Sequence, residues 1–113
     1  MRFFGYTLDN ESTMPTEPPS PELMQEMGKF VQEAFDAGVL IATGGMAPTE
    51  QGVKIVNSGG KLTVTDGPFA EAKEIVGGWA LMEAPTMEEA IEWAKRFRLI
   101  AGEGESRLRP VMF

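Results

Sequence analysis

Val64-Thr65-Asp66-Gly67-Pro68-Phe69-Ala70-Glu71-Ala72-Lys73-Glu74 is the stretch that decides the fold of this chain. Apolar and hydroxyl residues alternate into it, so a strand runs up to Asp66. The strand then stops sharply. Pro68 fixes its own φ, lacks an N–H and steers Gly67 away from helical backbone. Gly67 can adopt a left-handed backbone that other residues avoid. Asp66 can accept bonds from the main chain that follows it. A specified turn therefore divides the chain here, and the other elements order themselves on either side.

Upstream, residues 53–57 and 61–65 flank Ser58-Gly59-Gly60, which predicts a hairpin with a glycine-containing loop. Val53, Ile55, Leu62 and Val64 form its apolar face. Before it, residues 39–43 read as a strand closed by Gly44-Gly45. Ser20-Pro21-Glu22 opens a helix with a capping hydroxyl, a proline at the first helical position and an acid near the positive helix end. Leu23, Met27, Phe30, Val31, Ala34 and Phe35 recur along it at helical spacing, and Gly38 suits its left-handed stop. Residues 2–8 form a first strand with Phe3 and Phe4 on opposite faces. Residues 9–19, with three prolines, form a loop.

Downstream, residues 77–84 read as a strand, and the Gly77-Gly78 pair marks a bulge or a close backbone approach. Thr86-Met87-Glu88-Glu89 is a capping box, followed by the stripe Met87, Ala90, Ile91, Ala94 and Phe97. Trp93 sits at the edge of that stripe, as a rim residue, a pocket wall or a contact with a partner. Residues 106–112 form the last strand. The order is β-α-β, hairpin, β-α-β, which predicts an α+β ferredoxin-like βαββαβ fold with an inserted β-hairpin and an antiparallel sheet. Both helices then cover one sheet face. The other face has nothing in its own chain to cover it, so a closed homodimer is expected.

The 113 residues form a single domain, 1–113. A net charge of −7 argues against nucleic acid and against anionic membranes. No apolar run approaches a membrane span or a signal peptide, so a cytoplasmic protein is expected. The chain has no cysteine and no histidine. Thiolate nucleophiles, disulfides and Cys/His zinc sites are thereby excluded, as is the commonest general base near neutrality. The paired glycines lack phosphate-loop spacing, and the acids lack EF-hand spacing. Neither a cofactor nor a metal is expected. The eight methionines read as core filler.

Residues 64–69 with the charged stretch after them, Gly77-Gly78-Trp79, Glu88-Glu89-Ala90-Ile91-Glu92-Trp93-Ala94 and Arg109-Pro110-Val111 together resemble the DGPF, or YCII-related, family. The resemblance covers nearly the whole chain. It implies a ferredoxin-like chain paired into a dimeric α/β barrel, without one settled activity. Some relatives are linked to muconolactone-isomerase-like or dechlorinating chemistry through a His–Asp pair, a mechanism that a chain without histidine cannot carry over. Others accompany extracytoplasmic-function sigma factors, which implies a regulatory or accessory role.

Asp66 is the candidate catalytic residue. As an acid/base it needs desolvation to lift its pKa; as a turn cap it accepts backbone N–H groups and makes a poor base. Tyr6, Phe69, Lys73 and Arg109 are the candidate ligand-binding side chains. Arg109 can grip a small carboxylate in bidentate fashion, with the Tyr6 hydroxyl as a second donor. Alternatively Arg107 and Arg109 pair with neighbouring glutamates, and the Tyr6 hydroxyl finds a backbone partner. Three functions follow from these alternatives. The chain is a homodimeric small-molecule-binding module, or a lyase or isomerase of a small anionic substrate, or a structural interaction module.

Overall fold

The structure, a computed structural model, describes residues 1–10, 17–69 and 74–112. Its strands and helices are β1 (Arg2–Asp9), α1 (Pro21–Asp36), β2 (Leu40–Gly45), β3 (Val53–Ser58), β4 (Lys61–Asp66), β5 (Ile75–Glu83), α2 (Met87–Ala101) and β6 (Glu105–Pro110). A short 3-10 turn, Thr49–Gln51, precedes β3. The fold is α+β and compatible with the ferredoxin-like arrangement. Four strands form one antiparallel sheet in the order β2-β5-β1-β6, and β3-β4 form a separate two-stranded hairpin. No helix among the described residues is long and apolar enough to cross a membrane.

Local chemistry sets the helix ends as the sequence predicts. The Ser20 hydroxyl accepts from Leu23 N at 3.1 Å with Pro21 behind it, and the Thr86 hydroxyl accepts from Glu89 N at 3.2 Å. Helix α1 stops at Gly38, whose φ is +75°. Helix α2 stops at Gly102, and Arg98 reaches forward to close that end. Its Nε donates to Gly102 O at 3.1 Å and its terminal nitrogen to Ser106 Oγ at 3.1 Å.

Both helices lie on one face of the sheet. Phe3 is completely buried there, among Met82, Ala84 and Ala90, with Leu40, Trp93 and Leu108 around them. Phe4 points to the other face and is 36% exposed. The Trp79 ring stacks on Phe4 with centroids 6.1 Å apart, and Tyr6 lies 5.9 Å from Phe4. Trp79 also lies over Gly44, where an added Cβ would sit 3.1 Å from the indole nitrogen. This face, which no other described element covers, thus carries an aromatic cluster, flanked by Arg107 and Arg109 opposite Tyr6 and Phe4.

Several expectations shift on contact with the structure. Strand β5 starts at Ile75, and opposite Thr7 it has two residues, Gly77 and Gly78, which is a bulge. A Cβ on Gly77 would lie 1.8 Å from Asp9 Oδ2, so the bulge is also a close approach. The hairpin loop is two residues, Gly59-Gly60, with φ of +60° and +86°, the geometry that matches strand twist. Ile91 and Phe35, expected in buried stripes, are 38% and 41% exposed, because each helix is only partly sunk onto a four-stranded sheet. Gly67 does not take the expected left-handed backbone. Its requirement is space: an added Cβ would lie 1.7 Å from the carbonyl oxygen of Thr49.

Candidate functional site

Between the two helices and the sheet lies a cavity of about 190 Å³. Met27, Phe30, Trp93 and Phe97 line it from the helices, and Leu40 and Leu108 from the strands. Its volume comes from small residues facing one another. Gly5 on β1 sits directly opposite Ala80 on β5, and Ala34 and Ala94 face them from the helices. A Cβ on Gly5 would meet Leu108 at 3.1 Å and Met82 at 3.8 Å, so Gly5 is part of the cavity floor.

Apart from Arg107, the polar side chains around the cavity are hydroxyls, and most are engaged. Thr7 Oγ1 accepts from Gly78 N at 2.8 Å and donates to Asp9 Oδ2 at 3.4 Å. Thr43 Oγ1 donates to Trp79 O at 2.7 Å. Ser106 Oγ accepts from Arg98 and keeps its own proton to donate, among the described residues. The one charged residue of the described lining, Arg107, stands opposite Tyr6 and is paired with Glu105. Such a cavity can bury an apolar body and offer it one hydroxyl. Among the described residues, no carboxylate lines it.

At the rim, Arg96 of α2 donates to the Glu33 carboxylate of α1, and the two helices are latched together. Its guanidinium lies 4.8 Å from the centre of the Trp93 ring and 5.1 Å from that of Phe30. The hydrogen bond to Arg96 holds the Glu33 carboxyl below its ordinary range, against a smaller opposing effect of burial. Sequence reasoning did not single out this pair, since the two residues stand on separate helices.

Among the described residues, those singled out from the sequence do not all converge on one site. Tyr6 and Arg109 share the uncovered sheet face on neighbouring strands. Arg109 makes no ion pair among the described residues, whereas Arg107 donates to Glu105 at 2.6 Å, which raises its pKa further. Glu83 pairs with Arg2 at 3.2 Å and not with either of them. Asp66 ends β4 out on the hairpin, exposed, and its carboxylate accepts no hydrogen bond among the described residues. It lies on neither the cavity nor the open face. The turn after it is held instead by Gly67 N donating to Gly52 O at 2.9 Å. Phe69 packs at the hairpin base beneath Lys54, whose Nζ is 5.8 Å from the ring centre. Lys73 lies outside the described residues. Among the described residues, no three Asp, Glu, His or Cys residues come together to hold a metal ion.

The family model of the YCII-related domain matches residues 1–112. The chain belongs to the YCII-related family. An uncharacterized protein of Rhizobium meliloti (strain 1021) is 30% identical over 73 residues, which is 65% of this chain. The match spans 59% of that relative's length.

Proposed function

We propose that this YCII-related chain is a homodimeric small-molecule-binding module, and that the helix–sheet cavity is its ligand site. The observation that carries the reading is the cavity's composition: about 190 Å³, walled mainly by aromatic and aliphatic side chains, with no carboxylate on its described lining and Arg107, already paired with Glu105, as its one charged residue. Cavities of about 150 Å³ lined this way stay dry and take benzene. The ligand class is therefore a neutral molecule of one ring's size, with at most one acceptor for the Ser106 hydroxyl. The lack of a carboxylate on the described lining, and the engagement of Arg107 with Glu105, favour binding over catalysis. The dimer follows from the uncovered sheet face, where Phe4, Tyr6 and Trp79 form a cluster that a second copy would bury. A regulatory or accessory role, of the kind found beside sigma factors, fits a module that senses a small molecule without transforming it.

One observation favours a second ligand. Arg109 has no ion pair among the described residues and shares its face with Tyr6, so a small carboxylate can be held there, at the seam of the dimer. A thermal-shift screen separates the two. Neutral monocyclic compounds and small carboxylic acids are compared on wild type, Ala80→Leu and Arg109→Met. The cavity reading predicts stabilisation by neutral rings, lost in Ala80→Leu and kept in Arg109→Met. A ligand at a hundredfold its Kd adds about 2.7 kcal/mol of stability. Stabilisation by acids alone, lost in Arg109→Met, transfers the site to the sheet face. No stabilisation by either class removes the binding function.

A further inference from the structure

The hairpin β3–β4 carries an apolar face and, among the described residues, makes no extensive contact with another strand or helix. Its pairing sets Ile55 against Val64, so Val53, Ile55, Leu62 and Val64 share one face. They are 55%, 65%, 67% and 65% exposed. A two-stranded hairpin by itself is marginal in water, and an alternating pattern pays off only where the apolar face is covered. Its base is nonetheless closed, and the segment leading to it is tied to β5. Met46 N donates to Gly77 O at 2.7 Å, Gly67 N to Gly52 O at 2.9 Å, and Gly52 N to Thr49 O at 2.9 Å. Gly67 meanwhile seats against the Thr49 carbonyl. The hairpin stands out from the body, and the radius of gyration is 16.2 Å, where a compact chain of this length has about 13 Å.

We infer that the hairpin is an arm whose apolar face is laid on a second copy of this chain. Two features point to a second copy as the occupant. The described residues leave two apolar surfaces uncovered, the arm face and the aromatic sheet face, and a second copy supplies a partner for each in one closed, reciprocal contact. Charge selects the arm as the part that can approach. The chain carries −7, so two copies repel at range. Residues 46–69 hold Lys54 and Lys61 against Glu50 and Asp66, so the arm is neutral. The inference rests on the homodimer reading and adds that the arm, and not the sheet face alone, holds the dimer together.

The test exploits a chain without cysteine. In full-length Leu62→Cys, the single thiol is reacted with a bulky maleimide at concentrations where sedimentation gives twice the chain mass. The rate is compared with that of the same chain unfolded in urea. The arm reading predicts labelling at least tenfold slower in the dimer. In parallel, Ile55→Glu/Val64→Glu is predicted to raise the dimer dissociation constant at least tenfold, with far-ultraviolet circular dichroism and neutral-ligand binding unchanged. A dimer whose thiol reacts as fast as the unfolded chain's, or whose double variant dimerises like wild type, overturns the arm and leaves the homodimer standing. A wild-type chain that stays monomeric overturns both.

Discussion

At Gly67 the constraint is contact. The residue was singled out because Asp-Gly-Pro invites unusual backbone, but what forbids a side chain there is the Thr49 carbonyl, 1.7 Å from where a Cβ would sit. A backbone carbonyl held in a 3-10 turn cannot swing aside as a flexible side chain can. Gly67→Ala should therefore cost on the order of 1–3 kcal/mol in the opening of the arm base, read as faster hydrogen exchange at the residue 67 amide. Asp66→Ala, at an exposed carboxylate with no partner among the described residues, should stay within about 0.5 kcal/mol of wild type. The reverse ranking would restore Asp66 as the residue that matters. The glycine was legible in the sequence because only glycine fits. The reason was not, because Thr49 is 18 positions away and approaches it only through the hairpin's pairing.

Between elements, the Glu33–Arg96 pair is where pH should act on the packing of the two helices. Arg96 lowers the Glu33 pKa in the folded chain. A carboxyl depressed on folding stabilises above its unfolded pKa, about 4.3, and that contribution is lost as pH falls through the lower folded value. Glu33→Gln should thus melt earlier than wild type at pH 7, and the gap should close in acid below the unfolded value. It should also narrow in high salt, because the pair is exposed. A gap that persists unchanged at pH 2 would mean that Glu33 acts through packing and not charge. The elements themselves were legible, because caps, stripes and paired glycines are local signals. Ser20, Thr86 and Gly38 act where the sequence puts them. The latch was not legible, since it joins positions 33 and 96 on separate elements.

For the whole molecule, topology was readable and empty space was not. The split order of strands and helices follows from counting elements, and the uncovered face follows from two helices on one side. The cavity depends on Gly5, Ala34, Ala80 and Ala94 meeting between the helices and the sheet. Each reads as an ordinary small residue in its own element. A signal was present in Gly5, a glycine in the middle of an apolar strand, where a larger side chain would have added packing. The polar residues that attracted attention, Asp66 and Arg109, lie on the arm and the open face, because an acidic chain keeps its charges outside.

The central claim is that the helix–sheet cavity binds a neutral ring. Titration of the full-length protein with phenol, followed by the emission of Trp93 in a Trp79→Phe background, tests it directly, because Trp93 is part of the cavity wall. The account predicts a saturable change with one site per chain, abolished by Ala80→Leu and unaltered by Arg109→Met. A linear, unsaturated response in wild type, or the same saturation curve in Ala80→Leu, would contradict it.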